Sequence, residues 1–159
     1  MIEELHADGA KKVSHVELIN LLNQDLSREY QAIIAYVVYS QVLKGSELVH
    51  VAGVLEEHVV RELNHALILG EQIDYLTSMV LDEASALSIS KKAIEMLQLE
   101  RNHEAEIIRS YSERISQCED LAEYAICEQI RAIQIDKQIH QKTLAAALSK
   151  NASNQFQAM

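Results

Sequence analysis

Proline and tryptophan are missing from these 159 residues, phenylalanine occurs once and glycine four times. A many-turned sheet protein needs such residues at its hairpins, so a mostly helical chain is left. Cysteine is scarce too: Cys118 and Cys127 have no further partners, which argues against a disulfide scaffold and fits a reducing compartment, the cytoplasm. Basic residues are the minority, 14 Lys and Arg against 24 Asp and Glu. The formal charge of −10 argues against nucleic acid or anionic lipid as the main partner and favours cations. Apolar runs such as 32–39 and 48–55 fall far short of a membrane span, and Met1-Ile2-Glu3-Glu4-Leu5-His6 carries no basic region followed by an apolar stretch. Neither a membrane nor export is expected. What is present is an ordinary globular composition, 48% apolar and 24% charged, sufficient for one domain with a real core.

Four apolar stripes of helical period occupy most of the chain. Ser14 with Glu17 is a capping box that opens a first run through Ile19, Leu22, Leu26, Glu29, Ile33, Tyr36 and Leu43, at spacings of three, four or seven. Lys44-Gly45-Ser46 supplies a stop and a new N-cap before a second run through Val51, Leu55, His58, Glu62, His65, Leu69 and Leu76. The period breaks up from Thr77 to Ser90, where Ser88 or Ser90 can cap a third run through Ile94, Leu97, Glu104, Ile108, Tyr111 and Ile115. Asp120 with Glu123 makes another capping pair ahead of Ile126, Ile130, Ile133, Lys137, His140, Leu144 and Leu148. Each run is roughly 28 to 30 residues, about 42 to 45 Å at the helical rise, so the four can lie side by side. Short connections make two antiparallel hairpins, and the long middle segment is a crossover. The expected organisation is an amino-terminal tail over 1–13, an all-α four-helix bundle over 14–148 and a polar tail over 149–159 that frays around Asn151 to Gln155.

The informative residues interrupt the apolar stripes while keeping their register: Glu29, Glu62, His65, Glu104, Lys137 and His140. All lie near mid-helix, and helices of matched length place their middles at one height, so these side chains should converge in one layer inside the bundle. Buried carboxylates are costly, so the cluster needs protons, cations or metal. Glu62 and His65 offer a carboxylate oxygen and an imidazole nitrogen from one helix face, a pair suited to iron, manganese or zinc. His58, one turn earlier, is an auxiliary ligand or, more simply, a hydrogen-bonded histidine at the core edge. Glu100 and His103 repeat the spacing, but His103 points about 100° away from Glu104 and reads as surface. His6, His15 and His50 read as solvent-facing, Cys127 as a small core residue, and Tyr39, Tyr75, Tyr111 and Tyr124 as packing.

Glu29, Glu62-x-x-His65, Glu104 and His140 on four successive runs resemble the ferritin-like superfamily, and bacterioferritin within it, over about residues 15–148. Glu29 and Glu62 are 33 residues apart, as are Glu104 and Lys137, which matches two symmetric helical hairpins. The stretch from Leu22-Asn23 to Tyr36 is similar to the first family helix, with Tyr36 at the tyrosine beside the metal site, where it can hydrogen-bond a ligand or fill space. The resemblance implies an up-down-down-up bundle. It also implies two metals held by one Glu on each of the first and third helices and a Glu-x-x-His pair on each of the others. The fourth run instead reads Asp136-Lys137-Gln138-Ile139-His140, so Lys137 stands where the resemblance requires the second bridging glutamate. Asp136 lies about 100° around the helix. Leu63 follows Glu62 where the family has a haem-ligating methionine, so no haem is expected.

A full site of this kind has four carboxylates, neutralised by two divalent cations. Here Glu29, Glu62 and Glu104 contribute −3 and Lys137 +1, and one divalent ion balances the remainder. The expectation is one iron or other divalent ion at most, on Glu29, Glu62 and His65, with Glu104 and His140 nearer Lys137. Any redox activity, such as weak oxidation of bound iron by oxygen or peroxide, would involve Tyr36 and Lys137. The alternative is a non-catalytic ferritin-like scaffold in which Lys137 replaces metal charge and the role is assembly or partner binding. The resemblance implies a homo-oligomer, dimer or cage, in either case.

Overall fold

The computed structural model describes residues 12–77 and 93–157, and these form four helices: α1 His15–Leu43, α2 Val49–Thr77, α3 Ala93–Asp120 and α4 Tyr124–Gln157. The start of α1 is fixed as its sequence requires. Ser14 Oγ accepts from the Glu17 backbone N–H, and the Glu17 carboxylate accepts from the Ser14 N–H at 2.8 Å. Between α1 and α2, Ser46 Oγ donates to the Leu43 carbonyl and accepts from the Leu48 N–H, so one hydroxyl serves both helix ends. The expected caps Ser88 and Ser90 lie outside the described residues.

The α3–α4 turn differs from the capping pair expected there. Asp120 is the last residue of α3 rather than an N-cap. Ala122 turns the chain at φ 59°, with the Glu123 N–H reaching the Cys118 carbonyl and the Ala122 N–H that of Glu119. This is a Schellman closure with alanine in the left-handed position that glycine normally takes. At the other end α4 continues as helix through Asn151 to Gln155 up to Gln157, where the sequence suggests a fraying tail.

Inter-helix pairs give the directions. Asp25 meets Arg114, Glu29 meets Tyr111 and Tyr36 meets Glu104, so α1 and α3 run antiparallel. His50 meets Ala147 and Arg61 meets Asp136, so α2 and α4 do as well. Since α1–α2 and α3–α4 are hairpins, the order is up-down-down-up. The core has two halves. One gathers Leu18, Leu22, Leu26, Leu69, Ile73, Ile115 and Ile130, the other Tyr39, Leu43, Leu48, Leu55, Met96 and Leu144. The polar layer lies between them in the order of the chain, from Glu29 on α1 to His140 on α4. Tyr75 and Tyr124, read as packing residues, are instead exposed. No helix among the described residues is long and apolar enough to cross a membrane.

Candidate metal centre

Glu29, Glu62, His65, Glu104, Lys137 and His140 are all buried at mid-bundle, because each occupies an inward position of its stripe. Lys137 is at the middle. Its Nζ donates to Glu62 Oε2 and lies 2.8 Å from Glu29 Oε2 and 3.6 Å from Glu104 Oε1. The two imidazoles approach Glu62 from either side: His65 Nδ1 is 3.3 Å from Oε2, and His140 Nδ1 is 3.2 Å from Oε1. Tyr36 donates to Glu104 Oε1 at 2.7 Å, and Tyr111 donates to Glu29 Oε1. Behind the imidazoles sits Asp136. Its Oδ2 is 2.7 Å from His65 Nε2 and 3.5 Å from His140 Nε2, while Oδ1 accepts from Arg61. A carboxylate on the far nitrogen of a histidine fixes the ring and aims the near nitrogen at a ligand.

One offset organises the layer. Adding 75 to a residue number of the first hairpin turns Glu29 into Glu104, Tyr36 into Tyr111, Glu62 into Lys137 and His65 into His140. The two tyrosine–glutamate bonds are therefore exchanged across a pseudo-twofold axis, and the axis relates unlike residues at Glu62 and Lys137.

The charges follow from this geometry. Burial opposes the ammonium of Lys137, but Glu104, Glu29 and Glu62 outweigh it and hold its pKa well above the usual lysine value. Burial also opposes charge on His65, yet its hydrogen bonds to Glu29 and Glu62 and their charges lift it to about 10. Two carboxylates facing one lysine separate in behaviour. Burial and the charge of Glu62 push Glu29 up to about 7 against the pull of Lys137. Glu62 goes the other way: burial resists, but Lys137 and hydrogen bonds from Glu29, His140 and His65 hold it well below the carboxylate range. Burial, together with the charges of His140 and Lys137, pushes His58 down to about 4, so at neutral pH it is an uncharged ring, stacked 4.2 Å from His140.

The structure thus brings all seven nominated residues, Tyr36 included, into one layer. Within it one ligand atom each from Glu29, Glu62 and His65 lie within 4.8 Å of one another, a spacing that a single metal ion could bridge. Glu104 and His140 do not belong to that triad. Glu104 Oε2 is buried without a hydrogen-bond partner and Glu29 Oε2 faces the Lys137 ammonium at 2.8 Å, so the layer holds carboxylate lone pairs suited to a cation. Sequence reasoning missed Tyr111, read as packing, although its 75-residue relation to Tyr36 was there to be found. It also set aside Asp136 for its position around the helix.

A family model described as ferritin-like domain matches residues 19–153. The chain belongs to the ferritin-like family. Among solved structures, this ferritin-like chain is similar to one from Bacillus anthracis str. Ames described as a ferritin-like, diiron-carboxylate protein. The identity is 27%, covering 88% of this chain and 99% of that one, with a TM-score of 0.79. It also shares its fold with the bacterioferritin-related protein of Bacteroides fragilis, described as a dodecameric thioferritin, at 22% identity, 92% coverage of each chain and a TM-score of 0.80. Comparison with curated proteins gave no match.

Proposed function

We propose that this ferritin-like protein binds one divalent metal ion, iron foremost, on Glu29, Glu62 and His65, and that Lys137 supplies the positive charge of a second ion. The observation that carries the reading is the Lys137 ammonium seated among Glu29, Glu62 and Glu104 beside the compact Glu29–Glu62–His65 triad. Three carboxylates against Lys137 and one divalent ion come to zero once His65 is neutral. The diiron-carboxylate relative supports a carboxylate metal centre in this fold.

Bound iron(II) would supply an electron to oxygen or peroxide. The protein's own contribution is positional. Asp136 holds His65 so that Nδ1 faces the carboxylates. Tyr36 and Tyr111 each hold one oxygen of Glu104 and Glu29, while the second oxygen of Glu29 faces Lys137 and that of Glu104 accepts no hydrogen bond. Lys137 keeps Glu62 ionised, and the apolar clusters on either side exclude water. The free, buried Cys118 and Cys127 support a reducing cytoplasm, and we place the protein there as a homo-oligomer.

The test is metal per chain after anaerobic Fe(II) loading and desalting, with Lys137→Glu alongside. One iron in the native chain and two in the variant are expected. Two irons in the native chain would refute the single-ion site. None would favour the second reading, a scaffold whose carboxylates are held by Lys137 and protonated His65 without metal, for which the same ion pairs are the supporting observation.

A further inference from the structure

The pseudo-twofold axis relates the residue before Glu62 to the residue before Lys137: the 75-residue offset turns Arg61 into Asp136. These counterparts meet each other, Arg61 Nη1 donating to Asp136 Oδ1 at 3.1 Å, as Glu62 meets its own counterpart Lys137 one residue on. Two ion pairs of opposite sense thus stand side by side between α2 and α4, the first partly exposed and the second buried. The carboxylate behind the imidazoles therefore comes from α4 alone, and His65 and His140 compete for it.

Asp136 divides its oxygens. Oδ1 goes to Arg61, and Oδ2 lies 2.7 Å from His65 Nε2 but 3.5 Å from His140 Nε2, which is buried without a hydrogen bond among the described residues. By sequence His140 is the nearer choice, since it follows Asp136 by four residues on the same helix and such pairs are neighbours on a helix face. Arg61 and His65 are likewise four apart on α2, so one face of α2 presents a guanidinium and an imidazole to the two oxygens of one carboxylate. That two-point grip draws the carboxylate across the groove to α2 instead of along α4.

We propose that Arg61 is a positioning residue that decides which half of the pseudo-symmetric layer seats the ion: by holding Asp136 Oδ1 it turns Oδ2 to His65 and withholds it from His140. A carboxylate on the far nitrogen of a histidine orients the ring and raises its basicity as a ligand. His65 Nδ1 is thereby kept on Glu29 and Glu62, within the triad whose ligand atoms lie within 4.8 Å of one another, and His140 lacks the same support. The inference rests on the metal reading of the centre and adds no ligand to it. The sign of the effect separates positioning from plain electrostatics. As a mere charge Arg61 repels a cation, and its removal would tighten binding; as a positioning residue its removal weakens binding.

The experiment compares the native chain, Arg61→Ala and Arg61→Lys by proton–nitrogen NMR of the histidine rings without metal, and by Zn(II) titration. The Arg61 side chain is 46% exposed, and ion pairs at the surface contribute little to stability, so all three should fold alike. In the native chain the Nε2–H of His65 should be the ring proton protected from exchange with solvent. Arg61→Ala should lose that protection or pass it to His140, and should bind Zn(II) about tenfold more weakly, the lower end of the range for outer partners of a metal ligand. Arg61→Lys keeps a donor and should recover most of both. An unchanged His65 proton in Arg61→Ala overturns the proposal, and so does zinc binding that is unchanged or tighter. If the native chain takes up no zinc, the reading of the centre falls, and the His65 proton alone decides the role of Arg61.

Discussion

Replacing Lys137 with methionine keeps the length of the side chain and removes its charge. The ammonium is fully buried and contacts three carboxylates, so the variant leaves a buried charge cluster that only His65 offsets. Breaking a buried ion pair on one side costs about 3 to 5 kcal/mol, and for a chain of this size that lowers the melting temperature by roughly 6 to 20 °C. The loss has two further signatures. Burial and Glu62 hold Glu29 at about 7 against the pull of Lys137, so removing the ammonium raises it further, and the deficit should shrink as the pH falls towards 7 and level off below it. A divalent ion can also take over the role of the ammonium, and at a hundred times its dissociation constant it returns about 2.7 kcal/mol. Calorimetry of metal-free and Mn(II)-saturated Lys137→Met against the native chain reads both effects. A metal-free loss below about 1 kcal/mol, or a deficit indifferent to both pH and metal, would refute the reasoning.

Three other outcomes follow from particular contacts. Asp136→Asn loosens His65 and His140 at once and should weaken metal at the centre by about 10- to 100-fold with little change in fold, checked by metal titration and circular dichroism. Ala122→Gly relieves the left-handed backbone at φ 59° and should raise stability by about 0.5 to 1 kcal/mol in denaturant titration. Glu100 has a folded pKa of about 8 against 4.5 in the unfolded chain. Folding therefore favours its neutral form, and the stability linked to that form is complete below 4.5 and lost as the pH rises to 8. Metal-free Glu100→Gln should overtake the native chain between pH 5 and 8 by up to a few kcal/mol, at about 1.4 kcal/mol per unit of separation, and pH-dependent unfolding of both proteins measures the crossing.

The bundle and its charged layer were legible because burial imposes a 3.6-residue period on any residue that faces inward. Glu29, Glu62, His65, Glu104, Lys137 and His140 stand out for keeping that period while being polar. Tyr111 was not legible by the same rule, since a tyrosine on an apolar stripe looks like packing whether or not its hydroxyl is used. Asp136 failed the rule in the other direction: it sits off the stripe, in the groove between α2 and α4, and a carboxylate there can reach the backs of two imidazoles. The α3–α4 turn is not legible in the same way, because Asp120 and Glu123 carry the residue types of a capping box. The backbone instead closes α3 through hydrogen bonds that depend on the conformation of Ala122 and on no side chain. The end of α4 carries the polar run Asn151 to Gln155, which has no apolar stripe from which a helix could be read.

The two halves of the core are separated by a layer of charged and hydrogen-bonded side chains, so the bundle has a waist. In an ordinary four-helix bundle the middle is the most protected region and the ends open first. Here the helices are cross-linked at mid-height by charges whose balance depends on protonation and on whatever ion is bound, with hydrocarbon above and below. An ion bound there would tighten the joint between the two apolar lobes that the same four helices thread.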